Sequence, residues 1–168
     1  MKKSKKFTPM RNRRVLAIDP GFDRAGVAIL KNDQVLFSDC IVTNRKKSHE
    51  SRLFEIGNAV REIIDVWKPE DLVLETLFFN QNVSTAIKVA EARGIILYES
   101  QKAELEVFEY SPQAIKIAVT GYGKANKKQV EDMVKKLVVL PSQKRVRLDD
   151  ELDAIALGIT HLATKRGI

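Results

Sequence analysis

Apolar residues along this chain follow a strand-like pattern at first and a helical spacing after about residue 50. Val15 to Ile18 is a short apolar run that stops at Asp19-Pro20-Gly21, where proline and glycine force a turn and end a central strand. Val27 to Leu30, the polar turn Lys31-Asn32-Asp33-Gln34 and Val35 to Ser38 predict a hairpin, with a third segment near Ile41 to Thr43. The domain is therefore expected to open as an antiparallel meander of three strands. From Ser51, residues Leu53, Ile56, Val60, Ile63, Ile64 and Trp67 recur at helical spacing until Pro69 ends the run. Leu72-Val73-Leu74 then predicts a buried strand leading into Glu75. A second helix is expected over Asn82 to Glu99, where Ala92 and Gly94 are small enough to let another helix approach closely.

The remainder alternates in the same way. Val107 to Tyr110 predicts a strand, and Ser111-Pro112 starts a helix to about Thr120, with serine as cap and proline at the first helical position. Gly121-Tyr122-Gly123 breaks the chain. Asn126 with Gln129 three residues on predicts a capping box for a helix reaching Leu140-Pro141, and Asp149 to Lys165 forms the last helix. Strands first, then strands alternating with helices, imply an α/β fold: a mixed sheet flanked by helices.

The 168 residues fit a basic tail over 1–14 followed by one domain over 15–168. Such a domain buries roughly 68 to 70% of its unfolded surface, so it needs no disulfide or metal to stand. A single cysteine, Cys40, excludes an intrachain disulfide, and it reads as a small hydrophobe in a strand. No apolar run is long enough for a membrane span and the basic N-terminus is not followed by an apolar core, so a cytoplasmic location is expected. Charge is unevenly placed. Seven of the 29 basic residues lie in the first 14 positions, which hold no acid, leaving 22 basic and 22 acidic residues in the body. Within the body, Lys116 to Arg147 holds nine lysines and arginines against Glu131 and Asp132 alone. A polyanion-binding face produces such segregation, and so does a lysine-rich solvated surface.

Four acids draw attention by position. Asp19 and Glu75 each end a strand, and Asp150 and Asp153 share one turn of a helix face. Each has an ordinary explanation on its own: a turn residue, a strand end, a helix first-turn acid. Converging, they would repel strongly unless divalent cations bound between them. Oxygen-only ligands select hard ions such as Mg²⁺ or Mn²⁺, and two such ions per site suit in-line displacement at phosphorus.

These residues also carry a resemblance. Ala17-Ile-Asp-Pro-Gly21, the strand ending at Glu75 with Phe78 three residues on, Ala92-Arg-Gly94, Val107-Phe-Glu-Tyr110, Gly121-Tyr-Gly123 with Lys127-Lys-Gln-Val130, and Asp150-Glu-Leu-Asp153-Ala-Ile-Ala-Leu together resemble RuvC, the bacterial Holliday junction resolvase family, from about Val15 to His161. The resemblance implies a ribonuclease-H-like fold and a homodimeric, Mg²⁺-dependent endonuclease that resolves four-way DNA junctions by paired symmetric nicks. It implies metal binding and catalysis by Asp19, Glu75, Asp150 and Asp153, and DNA contacts by Phe78, Lys116 and Lys127. Lys128 is a candidate by adjacency. A branch-migration helicase complex is the implied partner.

The helix Asn82 to Glu99 is the candidate dimer contact. The extra residues 2 to 12 suit a DNA-binding arm or a tail without a role. His161 is expected to be a surface or helix-end histidine rather than a member of the site, and His49 has less to commend it. Two rivals stay open: a relative that cuts RNA, and a protein that binds branched DNA without cutting it. A two-lobed nucleotide phosphotransferase does not fit 168 residues.

Overall fold

A computed structural model describes residues 12–77, 83–142 and 145–165. Three strands form first: β1 (Val15–Asp19), β2 (Arg24–Lys31) and β3 (Gln34–Val42). They are followed by α1 (His49–Trp67), β4 (Asp71–Glu75), α2 (Val83–Lys102), β5 (Glu106–Tyr110), α3 (Pro112–Thr120), α4 (Lys127–Leu137) and α5 (Asp149–Lys165). The sheet has the order β3-β2-β1-β4-β5. β1, β2 and β3 pair antiparallel, whereas β1, β4 and β5 run parallel. The expected mixed sheet is present.

Strand periodicity divides the core into two layers. Val15, Ala17, Ala28, Leu30 and Val73 face α3, α4 and α5, where they pack with Ile115, Val134, Ile155 and Leu157. Leu16, Ile18, Val27, Ile29, Leu72 and Leu74 face α1 and α2, against Ile56, Val60, Ile64 and Ile96. β1 is thus covered on both faces, which explains why its sequence is an unbroken apolar run. Truncating one of these residues, such as Ile18→Ala, costs about 2 to 5 kcal/mol in cores of this kind.

Several boundaries differ from the pattern-based expectation for local reasons. The segment near Ile41 to Thr43 is the far end of β3 rather than a separate strand, and β2 begins at Arg24. The polar residues inside β3 hid its length, since Ser38 is buried while Asp39 faces outward. α2 runs on to Lys102. The capping box at Asn126 and Gln129 forms as expected, but α4 stops at Leu137. Val138 is extended, and Val139 exchanges backbone hydrogen bonds with Val35 and Asp33 at the β2–β3 turn. Two consecutive β-branched residues favour that extended conformation.

His161 departs further from expectation. It is 1% exposed. Its Nδ1 lies 3.0 Å from the Tyr110 hydroxyl and its Nε2 3.1 Å from Asp71 Oδ2, so it is a satisfied core histidine. A helix whose face is buried along its length leaves no solvent at this position. His49, at the start of α1, pairs with Glu91 at 2.7 Å and stacks on Phe22. At the N-terminus, Arg13 pairs with Asp71 and Glu106, and the Arg14 backbone N–H donates to Glu70.

Candidate active site

The parallel pairing of β1 with β4 sets Ile18 level with Leu74, so the next residue of each strand, Asp19 and Glu75, leaves the sheet at the same end. Carboxylates at the C-terminal ends of adjacent parallel strands can share one space. The helix α5 brings the other two. Gly26 of β2 pairs with Asp19 on one side and Cys40 on the other, and a Cβ built on Gly26 would lie 1.8 Å from the backbone oxygen of Asp150. The missing side chain therefore lets the first turn of α5 rest on the sheet beside Asp19. Asp153 follows one turn later on the same face.

Electrostatics report how close the four come. Burial pushes the Asp19 carboxyl up to about 7, helped by Asp153, Glu75 and Asp150 in that order. Glu75 is raised by burial and by Asp153, with Lys116 opposing. Burial also raises Asp153, while Lys127 pulls it down. Three acids held above the usual carboxylate range at one point are short of positive charge.

Nearby cations supply part of it. Lys127 Nζ lies 3.2 Å from Asp153 and 3.4 Å from Asp149, and Arg24 pairs with Asp150 at 2.8 Å. The carboxylates raise Lys127 above its usual value, although its partial burial works the other way. Among the described residues no three metal-ligating side chains stand close enough to hold an ion as placed. Asp150 and Asp153 are paired to Arg24 and Lys127 instead. The donor set nonetheless suits a hard cation, being oxygen-only and carrying repulsion that such an ion would relieve.

A groove of about 230 Å³ opens beside the acids, lined by Glu75, Asp153, Lys116, Lys127, Ile115 and Val130 among others. Lys116 and Lys127 thus meet two of the four acids across one groove. Lys128 does not join them. It is exposed on α4 and pairs with Asp132 at 3.3 Å. Phe78 lies outside the described residues.

Several supporting residues were not singled out from the sequence. Arg93 is buried on α2 and donates to the Glu75 backbone oxygen at 2.8 Å while pairing with Glu109, so it fixes the end of β4. Glu151, 0% exposed between Asp150 and Asp153, accepts from the Leu148 N–H, Ser38 Oγ and Arg145. Its place three residues after Leu148 is half of a capping box, the one signal that pointed to it. Cys40 Sγ lies 3.9 Å from Asp150, and burial raises its thiol to about 11.

The family model described as crossover junction endodeoxyribonuclease RuvC matches residues 15–161. The chain belongs to the RuvC family. A RuvC crossover junction endodeoxyribonuclease from Finegoldia magna is 40% identical over 153 residues, covering 89% of this chain and 92% of that one. Among solved structures, T. thermophilus RuvC in complex with a Holliday junction substrate matches with a TM-score of 0.85 and 27% identity, over 93% of this chain and 96% of that one. A yeast mitochondrial Holliday junction resolvase shares the fold at 12% identity, with a TM-score of 0.65 over 96% of this chain and 82% of that one. The ribonuclease-H-like fold implied by the sequence motifs is the one observed. All the RuvC-like motifs read from the sequence lie inside the matched span.

Proposed function

We propose that this chain is a homodimeric, Mg²⁺-dependent endonuclease that resolves four-way DNA junctions in the cytoplasm by paired symmetric nicks. The observation that carries the proposal is the meeting of Glu75 and Asp153 with Lys116 and Lys127 at one groove, beside Asp19, whose carboxyl burial and both acids push up, in a chain of the RuvC family. The acidic end of the sheet is a place for cations, and the lysines flank it as phosphate contacts.

Asp19, Glu75, Asp150 and Asp153 would hold two Mg²⁺ ions, or Mn²⁺ in their place, which when bound would supply charge neutralisation for displacement at phosphorus. Lys127 pairs with Asp153, and with a cation bound there in its place the ammonium would be available to a phosphate oxygen of the strand being cut, as Arg24 would be beside Asp150. Arg93 and Glu151 keep the acids in place.

Resolution requires two cuts related by symmetry, which a twofold dimer provides. α2 supports this arrangement. Val83, Ile87 and Tyr98 are exposed along it, and a Cβ at Gly94 would meet nothing within 4 Å. Phe78, between Glu75 and α2, is proposed to wedge against bases at the junction centre. A branch-migration helicase is the proposed partner of the assembled complex.

The deciding experiment is cleavage of a synthetic mobile four-way junction, with linear duplex and structured RNA as controls, in Mg²⁺, Mn²⁺ and EDTA. Symmetric nicks in the junction alone, abolished by EDTA, are expected. Tight junction binding without nicks in either metal would instead make the chain a branched-DNA binder, and cleavage confined to RNA would make it an RNA-directed relative.

A further inference from the structure

The turn between α3 and α4 is more rigid than a surface loop requires. Gly121 closes α3 in the left-handed conformation, at φ 74°, and its N–H donates to Ile117 O. The Thr120 hydroxyl donates to the Lys116 carbonyl at 2.7 Å and accepts from the Tyr122 N–H at 3.1 Å. The Tyr122 carbonyl accepts from Ala125 N at 3.0 Å. Gly123 folds back on α3 so closely that a Cβ there would stand 3.3 Å from Ile117 and 3.4 Å from Gln113. The backbone on both sides of Tyr122 is therefore fixed.

That fixed turn presents an aromatic ring to solvent. Tyr122 is 56% exposed and Ile117, beneath the same turn, 51%. A lone exposed apolar residue needs no explanation. The surroundings of this one do call for an explanation. Lys116, six residues earlier on α3, lines the acidic groove, and Lys127, five residues later, pairs with Asp153 there. Tyr122 itself borders a second groove of about 290 Å³ with Thr120, Gln129, Met133 and Lys136. The one acid lining it, Asp132, is paired to Lys128. Residues of α4 line both grooves, Lys127 and Val130 the first and Gln129, Met133 and Lys136 the second.

We propose that Tyr122 is a stacking platform for a nucleobase of the cleaved strand, with Ile117 as its apolar flank. The inference rests on the nuclease reading above and adds a base contact distinct from Phe78. Lys116 to Thr120 is the last turn of α3, ~6 Å of helix, and the Gly121 turn carries Tyr122 beyond it. The base reached therefore lies close along the strand to the phosphate held at Lys116. Stacking accepts any base because each has a π face, which suits an enzyme that selects structure before sequence. The fixed backbone also means that binding need not order the turn that carries the ring.

The test uses the full-length protein and four-way junctions carrying 2-aminopurine at successive positions beside the cut site. Binding is followed in Ca²⁺ and single-turnover cleavage in Mg²⁺. Quenching of the probe is expected at one or two adjacent positions. It should be lost in Tyr122→Ala and retained in Tyr122→Phe, with cleavage reduced ~10-fold by alanine and within about twofold of the unaltered protein for phenylalanine. Unchanged quenching and cleavage in the alanine variant would overturn the proposal, as would equal loss in both variants. Failure of the nuclease reading looks different: the unaltered protein would leave the junction uncut, whether or not it bound it, and the inference would fall with it.

Discussion

Asp19 is the residue on which folding and chemistry conflict most. Its carboxyl has an ordinary value of 3.8 and is pushed to about 7 by burial and by its acidic neighbours. Between those values the folded, metal-free chain binds a proton that the unfolded chain has lost. Stability therefore falls as pH rises from about 4 to 7 and holds level above. Asp19→Asn removes that penalty. In EDTA the variant is expected to melt a few degrees above the unaltered chain at pH 8 and with little difference at pH 4, measured by thermal denaturation. Junction binding should survive while Mg²⁺-dependent cleavage falls by more than about a hundredfold, since even a partner of a metal ligand typically costs 10- to 100-fold. Equal loss of binding and cleavage would make Asp19 a structural residue. The four acids were legible in the sequence because each ends a strand or shares a helix turn. Arg24 and Cys40 were not, because their closeness to Asp150 arises from sheet register and from where α5 crosses β2. His161 misled for a similar reason: only the tertiary structure shows that Asp71 and Tyr110 close around it.

Among the elements, the β2–α5 crossing places the aspartates, and Gly26 is what permits it. Gly26→Ala puts a methyl group where the Asp150 carbonyl sits, 1.8 Å away, and neither backbone can yield without moving a strand or a helix. The expected result is a loss of both stability and cleavage, larger in cleavage because the first turn of α5 carries Asp150 and Asp153. Denaturant titration alongside the junction assay checks it, and a stable, active variant would show that α5 sits elsewhere. Gly26 was not legible in the sequence, because the apolar run placed the start of the strand at Val27 and left the glycine outside it. Helix starts were legible at Ser111 and at Asn126 with Gln129, where capping chemistry is local, but the local cap of α1 at Ser48 was missed because the apolar spacing begins later. The end of α4 was not, because Val139 leaves the helix to bond with Val35 and Asp33, more than a hundred residues away in sequence.

At the scale of the whole molecule, a single copy is incomplete for the proposed reaction, since one acidic cluster can cut only one strand at a time. α2 offers the surface on which a second copy would sit. Val83, Ile87, Gly94 and Tyr98 recur at helical spacing on its outward side, and Ala90 continues the same stripe at half exposure. The opposite side of α2, with Ala92 and Ile96, is already used in the core. Two copies of this helix, about 30 Å long, can pack at 8 to 10 Å where side chains are as small as Ala90 and Gly94. Ala90→Arg places a guanidinium in the middle of that stripe while leaving the core side untouched. Light scattering should then report half the mass of the unaltered protein, with circular dichroism unchanged. The functional signature is more specific than the mass. Junction cleavage should pass from paired symmetric nicks to isolated single nicks, because each monomer keeps its acids and lysines but loses the twofold partner that aligns the second cut. A variant of unchanged mass would place the interface on another face of the molecule. A monomer that still makes paired nicks would mean that the junction itself, and not α2, brings the two active sites into register.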